Sequence, residues 1–223
     1  MKKILLIVLL NVILFASALE DNKKACDSGV MDGCHKLGLM YFKGDGVKQN
    51  NIKAKELFGK ACDGLDVRGC SNLGLMYYKG YGAIQDNIKA KKLFGKACDG
   101  GNMNGCYNLG LMYYEAKQDK SKAKEFFSKA CNGGDVDGCY NLGLMYFKGD
   151  GVKQDKIKTK ELFAKACDDG EMRTCFGLGV MYEKGDGIKQ DKSKAKEFYA
   201  KACDGGDIEG CKEYKILNEA GVQ

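Results

Sequence analysis

The sequence predicts an all-α fold, a solenoid of five stacked α/α repeats. Three observations predict it. The chain is self-similar at a period near 36 residues, in the range of helical repeat arrays. Within each period two segments carry apolar residues at i, i+3, i+4 and i+7, one face of a helix. And 223 residues contain no proline, the residue that breaks helix interiors.

The repeat is easiest to follow on its cysteines. Gly33-Cys34, Gly69-Cys70, Gly105-Cys106, Gly138-Cys139, Thr174-Cys175 and Gly210-Cys211 recur every 36 residues, with one step of 33. The short step falls in the third repeat, where Tyr114-Glu115-Ala116-Lys117 stands in place of a glycine-rich turn such as Gly44-Asp45-Gly46 or Gly149-Asp150-Gly151. A turn is where a helical repeat best tolerates a deletion. The resulting boundaries are 32–67, 68–103, 104–136, 137–172 and 173–208, after an N-terminal stub over 19–31 and before a polar capping helix over 209–223.

The first half of each unit is helix A, as in Cys106-Tyr-Asn-Leu109-Gly110-Leu-Met-Tyr113, whose Cys, Leu, Gly and Tyr share a face. The Gly-x-Gly turn ends it, because glycine takes positive φ without penalty. Helix B follows, as in Ala54-Lys-Glu-Leu57-Phe58-Gly-Lys-Ala61-Cys62, again with one apolar face, and Asp-Gly-Gly or a variant closes it. One such pair cannot bury its apolar face alone, so stacking against neighbours supplies the core.

Residues 1–18 read as a secretory signal peptide: Lys2 and Lys3, an apolar run from Ile4 to Phe15, and the small-x-small site Ala16-Ser17-Ala18. No cysteine stands at the cleavage point, which argues against a lipid anchor. No later segment is apolar enough for membrane insertion. Secretion or a periplasmic location follows. Loss of Lys2 and Lys3 takes the formal net charge from +6 to +4. That charge is spread through the repeats rather than gathered in the concentrated patch of a nucleic-acid binder, so no nucleic acid is expected, and the protein is expected to be a monomer.

Twelve cysteines in an exported chain suit disulfides. They occur as Cys-x7-Cys, and the spacing survives the shortened repeat. A local bridge at every junction between helix B and the next helix A is the scheme that serves all six alike: Cys26–Cys34, Cys62–Cys70, Cys98–Cys106, Cys131–Cys139, Cys167–Cys175 and Cys203–Cys211. Each closes a short loop worth ~2–3 kcal/mol by chain entropy. Zinc would ask for closer cysteine spacing and more ligands than a chain with one histidine offers, and no metal or other cofactor is expected.

The pattern Cys-x-x-Leu-Gly-x-x-Tyr, then Gly-x-Gly-Val, then Asp-x-x-Lys-Ala-x-x-x-Phe-x-Lys-Ala-Cys resembles the Sel1-like repeat family, a relative of tetratricopeptide repeats. With cysteine at both junction positions it is most similar to the Helicobacter cysteine-rich protein family, over about 200 residues. The resemblance implies a right-handed superhelix with one disulfide per repeat, secretion, and, for some members, penicillin binding and slow β-lactam hydrolysis. Thr174, the shortened third repeat and Gly82-Ala83-Ile84 depart from the pattern.

Residues alone give the enzymatic reading little. Ser-x-x-Lys occurs at Ser121/Lys124 and Ser193/Lys196, equivalent starts of helix B, but the Ser-Asp-Asn and Lys-Thr-Gly elements of serine β-lactamases are missing. The serines read as helix-start residues. His35, the single histidine, reads as an exposed helix residue.

A binding surface has more to show. At 100° per residue, positions two and five after each helix-A cysteine point away from the core. Position two holds Lys36, Asn72, Asn108, Asn141 and Gly177; position five holds Leu39, Leu75, Leu111, Leu144 and Val180. An asparagine row beside an aliphatic row fits a concave groove for an extended protein or peptide, or a peptidoglycan-like strand; the resemblance adds a β-lactam ligand. Burial of the leucines between repeats, and recent duplication, account for the same rows without a ligand.

Overall fold

The computed structural model describes residues 17–116 and 119–223. The signal-peptide reading therefore lies, but for Ser17 and Ala18, outside the described residues. Every regular element among the described residues is helical. Helix α1 (17–27) is followed by alternating A and B helices. The A helices are α2 (Met31–Lys43), α4 (Val67–Lys79), α6 (Met103–Glu115), α8 (Val136–Lys148), α10 (Met172–Lys184) and the final α12 (Ile208–Glu219). The B helices are α3 (Asn51–Asp63), α5 (Asn87–Asp99), α7 (Lys120–Asn132), α9 (Lys156–Asp168) and α11 (Lys192–Asp204). No helix among the described residues is long and apolar enough to cross a membrane. The chain divides into two compact units, one ending at Gly105 and one beginning at Cys106, and each is a stack of these hairpins.

Local chemistry sets the helix ends. The B helices start on Asn50, Asp86, Asp119, Asp155 and Asp191, whose side chains accept from backbone N–H groups in the first turn, satisfying donors with no partner inside the helix. Ser121 and Ser193 thus lie inside the first turn, after an aspartate cap. Helices α2, α4, α8 and α10 end on a left-handed glycine. At the other end Lys60 donates to the Cys26 carbonyl of the preceding repeat at 2.9 Å, Lys96 to that of Cys62 at 2.9 Å and Lys165 to that of Cys131 at 2.7 Å. Each places a cation where helix carbonyls lack partners and the dipole is negative.

The core repeats with the sequence. In the first unit Ala54, Phe58 and Met76 form a buried cluster. In the second, Phe163, Cys167, Cys175, Leu178, Met181 and Ala202 do. The phenylalanine of helix B lies against the glycine of helix A: a Cβ on Gly74 would stand 2.8 Å from the Phe94 ring, closer than packed carbons approach. The methionine six residues after the cysteine is a core residue that the four-residue pattern did not include; Met40, Met76, Met145 and Met181 are all buried.

Disulfides join Cys26–Cys34, Cys62–Cys70, Cys131–Cys139, Cys167–Cys175 and Cys203–Cys211. Cys98 and Cys106 are disulfide-bonded as well. The glycine before the second cysteine lets the two helices meet: a Cβ on Gly69 would stand 2.6 Å from that of Ala61. Thr174 occupies this place in the fifth repeat. There the Cα atoms of the bridge are 4.9 Å apart, against 4.4–4.5 Å at the other four described bridges. The Thr174 hydroxyl finds a partner in the Glu171 carbonyl.

Candidate functional site

Positions −2, +2 and +5 from each helix-A cysteine fall four and seven residues apart, on one helix face. In the first unit they are Asp32, Lys36 and Leu39 on α2, and Arg68, Asn72 and Leu75 on α4. In the second they are Asp137, Asn141 and Leu144 on α8, and Arg173, Gly177 and Val180 on α10, with Asn108 and Leu111 on α6.

The polar rows are cross-braced. Arg68 bonds Asp32 at 2.8 Å and Asp66 at 2.7 Å, while Lys36 lies 2.6 Å from Asp32. Hydrogen bonds from Lys36 and then Arg68 hold the Asp32 carboxyl below the usual range. The second unit repeats the arrangement: Arg173 pairs with Glu171 at 2.7 Å and with Asp137 at 3.3 Å, its guanidinium 4.2 Å over the Tyr140 ring. Such exposed pairs contribute ~1 kcal/mol or less each; what they add is a fixed charge pattern.

The asparagines meet the neighbouring repeat. Asn72 Nδ2 is 2.9 Å from His35 Nε2. In the second unit Asn141 bonds the Tyr107 hydroxyl, whose pKa is raised chiefly by burial, and also donates to the Asp137 carbonyl at 2.9 Å. His35 is a correction to the sequence reading: it is 7% exposed, tilted against Phe58 at 5.9 Å, and burial pushes its pKa down. The aliphatic row is half-buried. Leu39, Leu111, Leu144 and Val180 pack on the core clusters of their own units. The face therefore offers amides and fixed charges on an aliphatic floor.

The serine candidates line clefts in the second unit. Ser121 and Lys124 border one of about 610 Å³ with Tyr146, Lys153, Lys156 and Lys158. Ser193 and Lys196 border another of about 510 Å³ with Tyr214, where the Lys196 ammonium donates to the Val222 carbonyl at 2.5 Å. In the first unit two clefts related by the repeat have Tyr41 and Tyr77 in their walls. There Lys53 sits 5.0 Å over the Tyr41 ring and Lys89 5.2 Å over that of Tyr77. The same lysine-on-tyrosine pair recurs at Lys122/Tyr113, Lys158/Tyr146 and Lys194/Tyr182. As the sequence places it, this tyrosine packs on the core at Tyr41, Tyr113, Tyr146 and Tyr182; the lysine over its ring is the part not expected. The pairing signal was there, a lysine twelve residues after the tyrosine in four of five repeats. No group of three or more metal-ligating side chains gathers among the described residues.

A family model described as Sel1 repeat matches residues 32–64, 67–102, 104–135, 136–171 and 173–207. No curated protein matches the chain. Among solved structures, a protective antigen of uropathogenic Escherichia coli with an SLR fold is similar at 26% identity and a TM-score of 0.80, over 93% of this chain and 48% of that one. The chain thus spans about half the length of that structure. A Sel1 repeat protein from Oxalobacter formigenes is similar at 24% identity and a TM-score of 0.77, over 91% of this chain and 98% of that one. Helicobacter pylori cysteine-rich protein B is 32% identical over 57% of this chain and 94% of its own, with a TM-score of 0.48.

Proposed function

Starting from a chain that belongs to the Sel1 repeat family, we infer that it is an exported, disulfide-rich scaffold that binds an extended peptide on the exposed face of its A helices. Family membership supports protein interaction as the general task. Disulfides in every repeat suit an oxidising, extracytoplasmic compartment, and the sequence-level signal peptide supports secretion or a periplasmic location.

The observation that carries the peptide reading is the asparagine row. Asn72, Asn108 and Asn141 hold the same register position in three consecutive repeats. Each is half-buried, next to a half-buried aliphatic side chain one turn further on. A side-chain amide offers both a donor and an acceptor, as a peptide backbone does. Asn72 spends one Nδ2 hydrogen on His35, so its offer to a ligand is the Oδ1 acceptor and the second N–H.

The test is selection of linear peptides from a random phage-displayed library by the oxidised protein, followed by titration of a selected peptide. Replacing Asn72, Asn108 and Asn141 together by Ala is expected to abolish binding with the helical circular dichroism unchanged. Undiminished affinity in the folded triple variant rejects the asparagine row as the site.

A second reading is a β-lactam-binding protein with slow hydrolysis. Its support is the family resemblance alone.

A further inference from the structure

The turn between helices A and B follows one pattern in repeats one, four and five: Gly44-Asp45-Gly46-Val47-Lys48, Gly149-Asp150-Gly151-Val152-Lys153 and Gly185-Asp186-Gly187-Ile188-Lys189. In the second unit the turn aspartate pairs with the first lysine of the preceding helix B, Asp150 with Lys120 and Asp186 with Lys156. The second repeat keeps the two glycines but loses the charges. Its turn reads Gly80-Tyr81-Gly82-Ala83-Ile84, and the residue in the place of the paired lysine is Asn51.

The replacements at Asn51, Tyr81 and Ile84 remove charge and expose apolar surface in one place. Tyr81 is 42% exposed and Ile84 91%, flanked by Ile88 at 84% and by Ile52 at 58%. Ile52 belongs to the neighbouring repeat but lies at this turn: a Cβ on Gly82 would stand 2.9 Å from its backbone N. The Tyr81 ring is steadied by Phe42, centroids 5.8 Å apart. Isolated exposed apolar residues are ordinary, but a cluster on a rigid turn is a contact surface.

The charge around it is one-sided. Residues 43–53 and 79–89 form this edge of the first unit and contain five lysines, Lys43, Lys48, Lys53, Lys79 and Lys89, against two aspartates. Asp86 caps α5 and also pairs with Lys89 at 3.5 Å, which leaves Lys43, Lys48, Lys53 and Lys79 against Asp45. All five lysines are exposed. Ile84 projects from the turn and Ile52 and Ile88 from the first turns of α3 and α5, all three largely exposed, so the surface suits a deformable, planar partner. We propose that the turn of the second repeat is a peripheral docking site for an anionic phospholipid surface, with Tyr81, Ile84, Ile88 and Ile52 entering the interface and the lysines meeting the head groups. Apolar side chains at the acyl boundary combined with basic residues near the surface are the two attractions that hold interfacial proteins.

The experiment is co-sedimentation of the oxidised protein with phosphatidylglycerol vesicles and with phosphatidylcholine vesicles. The deciding variant is Asn51→Lys/Tyr81→Asp/Ile84→Lys. It installs the residues that sister repeats carry at the same places, so it folds, and it adds one net positive charge. Wild-type protein is expected to bind the anionic vesicles, more weakly in salt, and not the zwitterionic ones. The variant is expected to bind at least about tenfold more weakly despite its extra charge. Absence of wild-type binding to anionic vesicles, or equal binding by the variant, overturns the proposal. So does concentration-dependent self-association without lipid that the variant abolishes, because the patch is then an interface between copies.

Discussion

The side-chain amide of Asn72 stands 2.9 Å from Nε2 of His35, one repeat away, while Nδ1 of the same ring is buried without a partner. The ring is held neutral by burial, with Asp66 and Asp32 pulling its pKa up and Arg68 and Lys36 pushing it down. A neutral ring accepts at Nε2 from the amide; a protonated one cannot.

Acid should therefore loosen this contact. Burial holds the folded pKa below the ordinary histidine value of about 6.5, so the unfolded chain binds more protons as the pH falls through that value, and stability falls with it. The stability tied to neutral His35 is present above about pH 6.5 and is lost towards the folded pKa. The carboxyls of Asp32 and Asp66 are shifted down, so their acid-linked loss comes at lower pH. His35→Tyr installs the residue found at positions 107 and 140. Urea midpoints at pH 7.5 and 5.0 are expected to differ less in that variant than in the wild type; an unchanged difference rejects His35 as the titrating group.

Leu65 has φ +70° and is the one non-glycine residue with positive φ among those described. The equivalent positions hold Gly29, Gly101, Gly134, Gly170 and Gly206, with φ between 87° and 97°. A left-handed L-residue costs ~1–2 kcal/mol, part of which glycine returns through its greater chain entropy when unfolded. Leu65 is 77% exposed, so little packing is lost on removing it. Leu65→Gly is expected to raise stability by about 0.5–1 kcal/mol, read as a higher urea midpoint. A lower midpoint shows that the side chain contributes more than its exposure suggests.

Two helical glycines should answer to alanine with opposite signs. A Cβ on Gly143 would stand 2.6 Å from the Phe163 ring, whereas one on Gly59 meets nothing within 4 Å. Gly143→Ala is expected to destabilise by about 1–3 kcal/mol through overpacking. Gly59→Ala is expected to stabilise by about 0.5–1 kcal/mol through backbone entropy and helix propensity. Thermal melts of the two variants decide it; equal shifts reject the contact between Gly143 and Phe163.

What could be read from the sequence divides along physical lines. The cysteine pairs, the B-helix phenylalanine and the helix-A glycine follow from spacing within one hairpin, and the 3.6-residue period reports that directly. Arg68 on Asp32 and Arg173 on Asp137 join positions 36 residues apart. They depend on how far one repeat is translated against the next, which periodicity inside a helix does not encode. His35 was misread for the same reason: what buries it is Asn72 of the next repeat and Phe58 of helix B. The asparagine row was found by its regularity, but its bonds to the row beside it belong to stacking. Tyr81 and Ile84 were visible as departures from the repeat; their exposure beside Ile88 was not.

The Ser-x-x-Lys elements should not support catalysis. A serine nucleophile needs a base within hydrogen-bond reach and donors aimed at the developing oxyanion. Ser121 and Ser193 lie exposed in the first turn of a B helix, and Lys196 has turned to the Val222 carbonyl, 6.0 Å from the centroid of the Tyr214 ring. The oxidised protein is accordingly expected to leave a chromogenic cephalosporin intact at a rate indistinguishable from that of the Ser121→Ala/Ser193→Ala variant. Turnover that scales with wild-type protein and vanishes in the variant identifies a serine hydrolase and moves attention to the cleft of Ser121, Lys124 and Tyr146. Turnover that survives in the variant places an active site elsewhere on the chain. Neither outcome touches the peptide-binding test, because the asparagine row lies on the A helices and both serines lie on B helices.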